Sequence, residues 1–323
     1  LEPTYLAAPM LASALTDAEA ISELETALLG DIDPEEDAKR LFSPAPGGEF
    51  LLMPAGGTKF SGVKLVTIAP GNPAKGLPKI QGIYTLFNSR TLAPVAVMDA
   101  AELTLIRTPA TTALAVKHIL AARAPMHPLS AKYPVETAVV FGTGPQAWRH
   151  IRALQAVVSA NTTIVVGRDY NKTESFAQYC RNQSLQVEAG DAASVASADL
   201  IICATSSSTP LFDNAVIQNH AVIAAVGSHG LDAREIHPEL ARRASIVVES
   251  RASALREAGD LIPARSVAEW QDASLINLAE LVQGKFTPNP DKPTLYTGAG
   301  MAWQDLVVAS AIHDRVVLER AQH

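Results

Sequence analysis

The hexapeptide Gly142-Thr143-Gly144-Pro145-Gln146-Ala147 lies between an apolar run, TAVVFG, and a stretch with helical apolar spacing, QAWRHIRALQAVV. A chain passes from strand to helix in so few residues only if the first turn residue tolerates unusual backbone angles, which is what Gly142 supplies. Gly144 removes the side chain where a phosphate would approach, and small Ala147 lets the helix lie close on the strand. The unpaired N–H groups at the helix start then face an anion. Thr143, Pro145 and Gln146 fill the remaining positions. This GxGxxA pattern in a strand–turn–helix setting predicts a Rossmann-type dinucleotide-binding domain.

The rest of the second half agrees. TTIVVG, ADLIICAT, AVIAAVG and SIVVES are near-continuous aliphatic runs, and NKTESFAQYCRNQ reads as a helix among them. Such alternation suits a parallel sheet covered on both faces. The first half has another texture. Residues 11–30 carry helical apolar spacing closed by Gly30. EFLLMP, GVKLVTIAP, IQGIYTLFN and PVAVMDA read as strands of an antiparallel sheet, punctuated by Gly, Pro and Asn. Residues 101–123 read as a helix interrupted near Pro109, and the stretch from about Gly300 as a final helix. The expected class is α/β: a Rossmann-type domain plus an α+β domain.

Composition narrows the function. With 323 residues, two domains are expected; 48% hydrophobic against 18% charged residues is the balance of a globular enzyme. A net charge of −7 gives no general attraction to nucleic acid or to an anionic membrane surface. No apolar stretch approaches the roughly 20 residues that span a bilayer. The N-terminal residues lack a basic region followed by an apolar run, so no secretory signal is expected. Cys180 and Cys203 have no metal-ligand spacing and sit in core-like segments. They predict buried free thiols, no metal, and a cytoplasmic location.

The second Rossmann strand runs into Gly167-Arg168-Asp169-Tyr170-Asn171-Lys172. NAD enzymes typically place a carboxylate here to hold both ribose hydroxyls, whereas an arginine matches a 2′-phosphate. Arg168, followed by Asn171 and Lys172, favours NADP(H). Asp169, within reach of the ribose, keeps NAD(H) open. In the first half, Arg40, Lys64 and Arg107 lie near apolar strands rather than in charge runs. A substrate carboxylate needs fixed cationic donors, but each of these alone reads more readily as a solvated surface charge.

The stretch from Arg40 to Met53-Pro54, then GVKLVTIAPGNPAKGLPKIQG and ELTLIRTPATTALA, resembles the ornithine cyclodeaminase/mu-crystallin family. The resemblance continues, in order and over nearly the whole chain, through the GTGPQA loop, AVGSHGLDAREIHPEL, VVES…ALREAGDL and TGAGMAWQDL. It implies a substrate-binding and dimerisation domain at 1–122 and 301–323, whose sheet packs on that of a second copy, and a dinucleotide domain at 123–300. It also implies that Arg40, Lys64 and Arg107 bind the substrate carboxylate or activate the reacting carbon. Thr205, Ser206, Ser207 and Val226 are expected to line the cofactor, and Met301 and Asp305 to border its nicotinamide side.

Two departures narrow the activity. The family's cyclodeaminases and archaeal alanine dehydrogenases carry an Asp after the AVG strand, where this chain has His229. The acidic residue that ornithine cyclodeaminases carry two places before Met-Pro is Leu51 here. Ketimine reductases of mu-crystallin type also lack the loop Asp. The expected function is therefore NAD(P)H-dependent reduction of a cyclic imine 2-carboxylate, Δ1-pyrroline-2-carboxylate or Δ1-piperideine-2-carboxylate. His229 and Lys64 are the candidate proton donors. Ornithine cyclodeaminase, alanine dehydrogenase and an NADPH-dependent small-ligand-binding protein are the competing readings.

Overall fold

The fold comes from a computed structural model that describes residues 2–228 and 230–321. Two compact units emerge, residues 1–110 with 301–323, and residues 111–300. In chain order, the first unit contributes strand β1 (Thr4–Leu6), helices α1 (Ala8–Ala14) and α2 (Asp17–Leu29), and strands β2 (Leu41–Ala45), β3 (Gly48–Ala55), β4 (Phe60–Ile68), β5 (Ile80–Asn88) and β6 (Pro94–Asp99). Helix α3 (Ala100–Arg123) follows, and the division between the units falls inside it, just after Ala110.

The first unit's sheet runs β1-β6-β5-β4-β3-β2. The four strands read from the sequence pair antiparallel as expected, and β1 adds a parallel edge. Alternation decides which side chains meet the core. Leu51, Met53, Lys64, Val66, Tyr84, Leu86, Ala96 and Met98 all point to the buried face. Lys64 is the only charged residue among them. Leu51, Met53 and Val66 pack with Ala100 and with Ala302 of the last helix, α10 (Ala302–Ala321), which returns to this unit. Asp37 starts that helix by accepting the N–H groups of Ala302 and Trp303 at 2.8 and 3.1 Å.

Two local expectations need correction. The stretch 11–30 is two helices, because Thr16 opens the second with a capping box: its Oγ1 accepts the Glu19 N–H, while Glu19 accepts the Thr16 N–H. Helix α3 runs unbroken through Pro109. A proline removes one N–H and crowds the preceding turn, but Leu103, Ile106, Ala110, Ala113 and Leu114 are buried along this helix. Packing on both sides of Pro109 outweighs the local penalty.

The second unit continues with β7 (Tyr133–Phe141), α4 (Pro145–Leu154), β8 (Val158–Val166), α5 (Tyr170–Asn182), β9 (Glu188–Gly190), β10 (Leu200–Cys203), β11 (Val222–Ala225) and α6 (Pro238–Arg243). Then come β12 (Ser245–Val248), α7 (Arg251–Glu257), α8 (Val267–Gln271), β13 (Ile276–Asn277), α9 (Leu278–Val282) and β14 (Thr294–Thr297). The strand order is β13-β12-β14-β11-β10-β7-β8-β9, every pairing parallel. From β9 to β11 this is the 3-2-1-4-5 order of a doubly wound sheet, with its switch point between β7 and β10. Buried aliphatics from β7, β10, β11 and β12, with Cys203 among them, form the core, and both cysteines are free and buried. No helix among the described residues is long and apolar enough to cross a membrane.

Candidate functional site

In a parallel sheet all the strands end on one edge, so the loops after β8, β7, β10 and β11 share that edge in the second unit. The sequence-predicted residues Arg168, Gly142–Ala147, Thr205–Ser207 and Val226 occupy those four loops. Gly142 has φ +121°, and a Cβ there would lie 2.7 Å from the Ala204 carbonyl oxygen. Only glycine meets both conditions. Gly144 caps α4 with Pro145 at its first position, and nothing approaches within 4 Å of where its Cβ would be. The turn is therefore tight behind and open in front, and a dinucleotide pyrophosphate fits it. Ala147 is fully buried, its Cβ 3.5 Å from the Cβ position of Gly142, where helix meets strand.

Arg168, Asn171 and Lys172 are exposed together after β8. Asp169 is committed locally: it caps α5 by accepting the Lys172 N–H at 3.1 Å. His150 of α4, fully buried, bonds the Gln146 carbonyl at 2.7 Å and Thr112 at 3.1 Å; burial pushes it down to about 4, so it is a neutral structural group.

Sequence reasoning missed three buried carboxylates that hold these loops. Glu235 accepts from Thr205 and Gly227. Asp260 accepts from Ser228, Glu235 and Ile236. Glu249 accepts the Ala299 and Gly300 N–H groups at 3.0 and 2.7 Å after β14. Their partners lie 8 to 51 residues away in sequence, so no local pattern announces them. His229, one of the two candidate proton donors, lies outside the described residues.

The first unit gathers a second set. Lys64 of β4 reaches Asp305 Oδ2 at 2.7 Å, and the Nε of Arg107 of α3 lies 3.3 Å from Asp305 Oδ1. Arg107 also donates to Gln304 Oε1 at 2.9 Å, and Lys64 to Thr104 Oγ1 at 3.4 Å. Lys64, Arg107 and Asp305 are 3%, 5% and 0% exposed, which makes this an ion cluster withdrawn from water. Burial pushes the Lys64 ammonium down to about 8; Arg107 and Arg40 push the same way, and Asp305 opposes them. Arg40, half-buried just before β2, is thus part of the same electrostatic neighbourhood. Met301 and Asp305, expected beside the nicotinamide, belong to this unit. Met301 is buried and its N–H donates to Gln304, while Asp305 joins the two cations. Among the described residues no group of His, Cys, Asp and Glu is arranged to hold a metal ion.

A family model, Ornithine cyclodeaminase/mu-crystallin family, matches residues 14–320. The chain is 30% identical over 276 residues to the Delta(1)-pyrroline-2-carboxylate reductase of Bacillus cereus, covering 83% of this chain and 81% of that protein. It is 31% identical over 276 residues to the Delta(1)-pyrroline-2-carboxylate/Delta(1)-piperideine-2-carboxylate reductase of Azospirillum brasilense, covering 85% and 83%. The solved structure of Thermococcus litoralis Delta(1)-pyrroline-2-carboxylate reductase in complex with NADH and L-proline matches with a TM-score of 0.84 at 25% identity, over 98% of both chains.

Proposed function

The chain belongs to the ornithine cyclodeaminase/mu-crystallin family, and from that premise we propose that it reduces the C=N bond of a cyclic imine 2-carboxylate. Δ1-Pyrroline-2-carboxylate would give L-proline, and Δ1-piperideine-2-carboxylate would give L-pipecolate. The observation that carries this reading is the buried Lys64–Asp305–Arg107 cluster with a lysine held near 8.

Arg107 and Arg40 bind the substrate carboxylate, and the bonds from Arg107 to Asp305 and Gln304 fix the guanidinium plane. Lys64 holds the proton that the ring nitrogen gains. At pH 7 it is charged, because Asp305 stabilises the ammonium. Once the proton leaves, the neutral amine suits its buried surroundings, so transfer costs little. When bound, the reduced nicotinamide supplies the hydride for the imine carbon. Gly142, Gly144 and the start of α4 receive the pyrophosphate, with Thr143, Pro145, Gln146 and Ala147 shaping that turn. Thr205, Ser206, Ser207 and Val226 line the nucleotide. Arg168, Asn171 and Lys172 grip a 2′-phosphate, so NADP(H) is preferred over NAD(H).

A homodimer belongs to the same reading. The second face of the six-stranded sheet is apolar too: Leu52, Leu65 and Ile83 stand side by side in register, and Phe50 and Ile83 are 37% and 40% exposed. Such a face calls for a matching surface, and a second copy supplies it. A cytoplasmic location is supported by the two free buried thiols.

The direct test is NADPH oxidation with each cyclic imine, against NAD reduction with ornithine and with alanine. Brisk imine reduction with negligible ornithine turnover is expected. Ammonia release from ornithine at a matching rate would make the enzyme a cyclodeaminase. Tight NADPH binding without turnover of either imine would make it a binding protein.

A further inference from the structure

Glu235 lies in the loop between β11 and α6, fully buried, and donates or accepts in five hydrogen bonds. Its Oε1 accepts both the N–H and the Oγ1–H of Thr205 at 2.7 Å, and its Oε2 accepts the Gly227 N–H at 2.7 Å. Its own N–H donates to Asp260 Oδ1 at 2.7 Å, and its carbonyl accepts the Leu211 N–H at 2.9 Å. One carboxylate therefore joins the loop after β10 to the loop after β11, from a backbone that is itself pinned.

Those loops press on one another and on the dinucleotide turn. A Cβ on Gly227 would lie 2.0 Å from the Thr205 carbonyl oxygen and 2.7 Å from Glu235 Oε1. A Cβ on Gly142 would lie 2.7 Å from the Ala204 carbonyl oxygen. The β10 loop thus lies closely against Gly142 at Ala204 on one side and against Gly227 at Thr205 on the other.

We propose that Glu235 is a positioning residue for the cofactor: its carboxylate clasps the β10 and β11 loops at the spacing the dinucleotide requires. This rests on the dinucleotide reading given above. The chemistry of the group is specific. Three donors converge on two oxygens, and an ionised carboxylate, acceptor-only on both sides, meets them most strongly. An amide offers one acceptor and turns its NH2 against an N–H on the other side.

Protonation has the same consequence. Burial pushes Glu235 up to about 7; the charge of Asp260 acts in the same direction, and the bonds from Thr205 and Gly227 oppose both. Facing this pair are the Cys203 thiol, pushed up by burial and then by both carboxylates, and Arg234, whose charge favours ionised Asp260. As pH falls through about 7, Glu235 gains a proton, one of its acceptor positions becomes an O–H donor, and the clasp weakens.

The test compares wild type with Glu235→Gln in two measurements on the full-length protein. One is the NADPH dissociation constant by fluorescence at pH 8 and pH 6. The other is amide hydrogen exchange, without cofactor, in segments 204–208 and 226–228. In wild type, binding should weaken by about tenfold or more at pH 6, the scale of one bond to a charged group. In E235Q it should be weak already at pH 8 and change far less between the two values, by no more than the 2′-phosphate's own titration brings, and both segments should exchange faster at pH 8. Equal affinity of E235Q and wild type at pH 8, or acid weakening as large in E235Q as in wild type, would overturn the proposal. If E235Q does not fold, wild-type exchange decides. Protection lost from both segments together between pH 8 and pH 6, after correction for intrinsic rates, supports the clasp, and unchanged protection refutes it. A wild type that binds neither NADPH nor NADH would end the dinucleotide reading, while the exchange result would still judge the clasp.

Discussion

The dinucleotide turn of the second unit and the ion cluster of the first are built in opposite ways. The turn is six consecutive residues, and each acts through its own backbone: Gly142 by its φ of +121°, Gly144 by the space it leaves, Ala147 by its size. The cluster is made of side chains from β4, α3 and α10, with Arg107 and Asp305 separated by 198 positions. A site shaped by backbone can be written locally. A site shaped by converging side chains exists only once the chain has folded, and no local pattern marks its members as belonging together.

That difference is open to attack by mutation. The largest effect is expected at Lys64: Lys64→Met should lower kcat by roughly 10²–10⁴, the range for loss of general acid catalysis, with NADPH affinity unchanged. A parallel loss of NADPH affinity would mean that the cluster is not a separate substrate device. Next, Asp305→Ala leaves the Lys64 and Arg107 charges buried without their shared anion. It should cost about 3–5 kcal/mol of stability, read as a large fall in urea midpoint. A change below about 1 kcal/mol would show that the pairing is incidental.

Arg168→Ala should weaken NADPH binding by about 1.5–3 kcal/mol and spare NADH; equal weakening of both would remove the 2′-phosphate role. Smallest in stability is Gly144→Ala, because the new Cβ enters open space at φ −98°. Its urea midpoint should move by less than about 1 kcal/mol, while dinucleotide binding falls because the methyl group occupies the phosphate cradle. Stability lost at Asp305 with the fold kept at Gly144 is the signature of the two building modes.

The pH dependence follows from Lys64. The donor must carry its proton, so kcat for imine reduction should fall as pH rises through about 8. Asp305 is the group that raises this value, so the descending limb should move to lower pH in an Asp305→Asn enzyme that still folds. A limb that stays in place would assign the proton to another group, with His229 first in line.

The parts legible in sequence follow the same division. The strand–helix alternation of the second unit, the strands of the first unit and the Arg168 strand end rest on periodicity and turn chemistry, which act over a few residues. The break at Thr16 was also written locally, in its capping box with Glu19, but the apolar spacing across 11–30 masked it. Continuity through Pro109 depends on burial of α3, which no local rule contains. Arg40, Lys64 and Arg107 were identified through family resemblance rather than through spacing. The resemblance puts Asp305 beside the nicotinamide; its bonds to Lys64 and Arg107 emerge only when α10 returns to the first unit. Glu235 and Asp260 carry no local signal, since the backbone groups that they satisfy become available as donors only at the strand ends of the folded sheet.

The most direct test of the central claim follows the reacting hydrogen. The enzyme is given Δ1-pyrroline-2-carboxylate and NADPH deuterated at nicotinamide C4, and the product is read by mass spectrometry. Reduction of the imine predicts proline carrying deuterium at Cα, formed far more slowly by Lys64→Met. Unlabelled proline, or no proline at all while ornithine and NAD yield ammonia, would contradict the account.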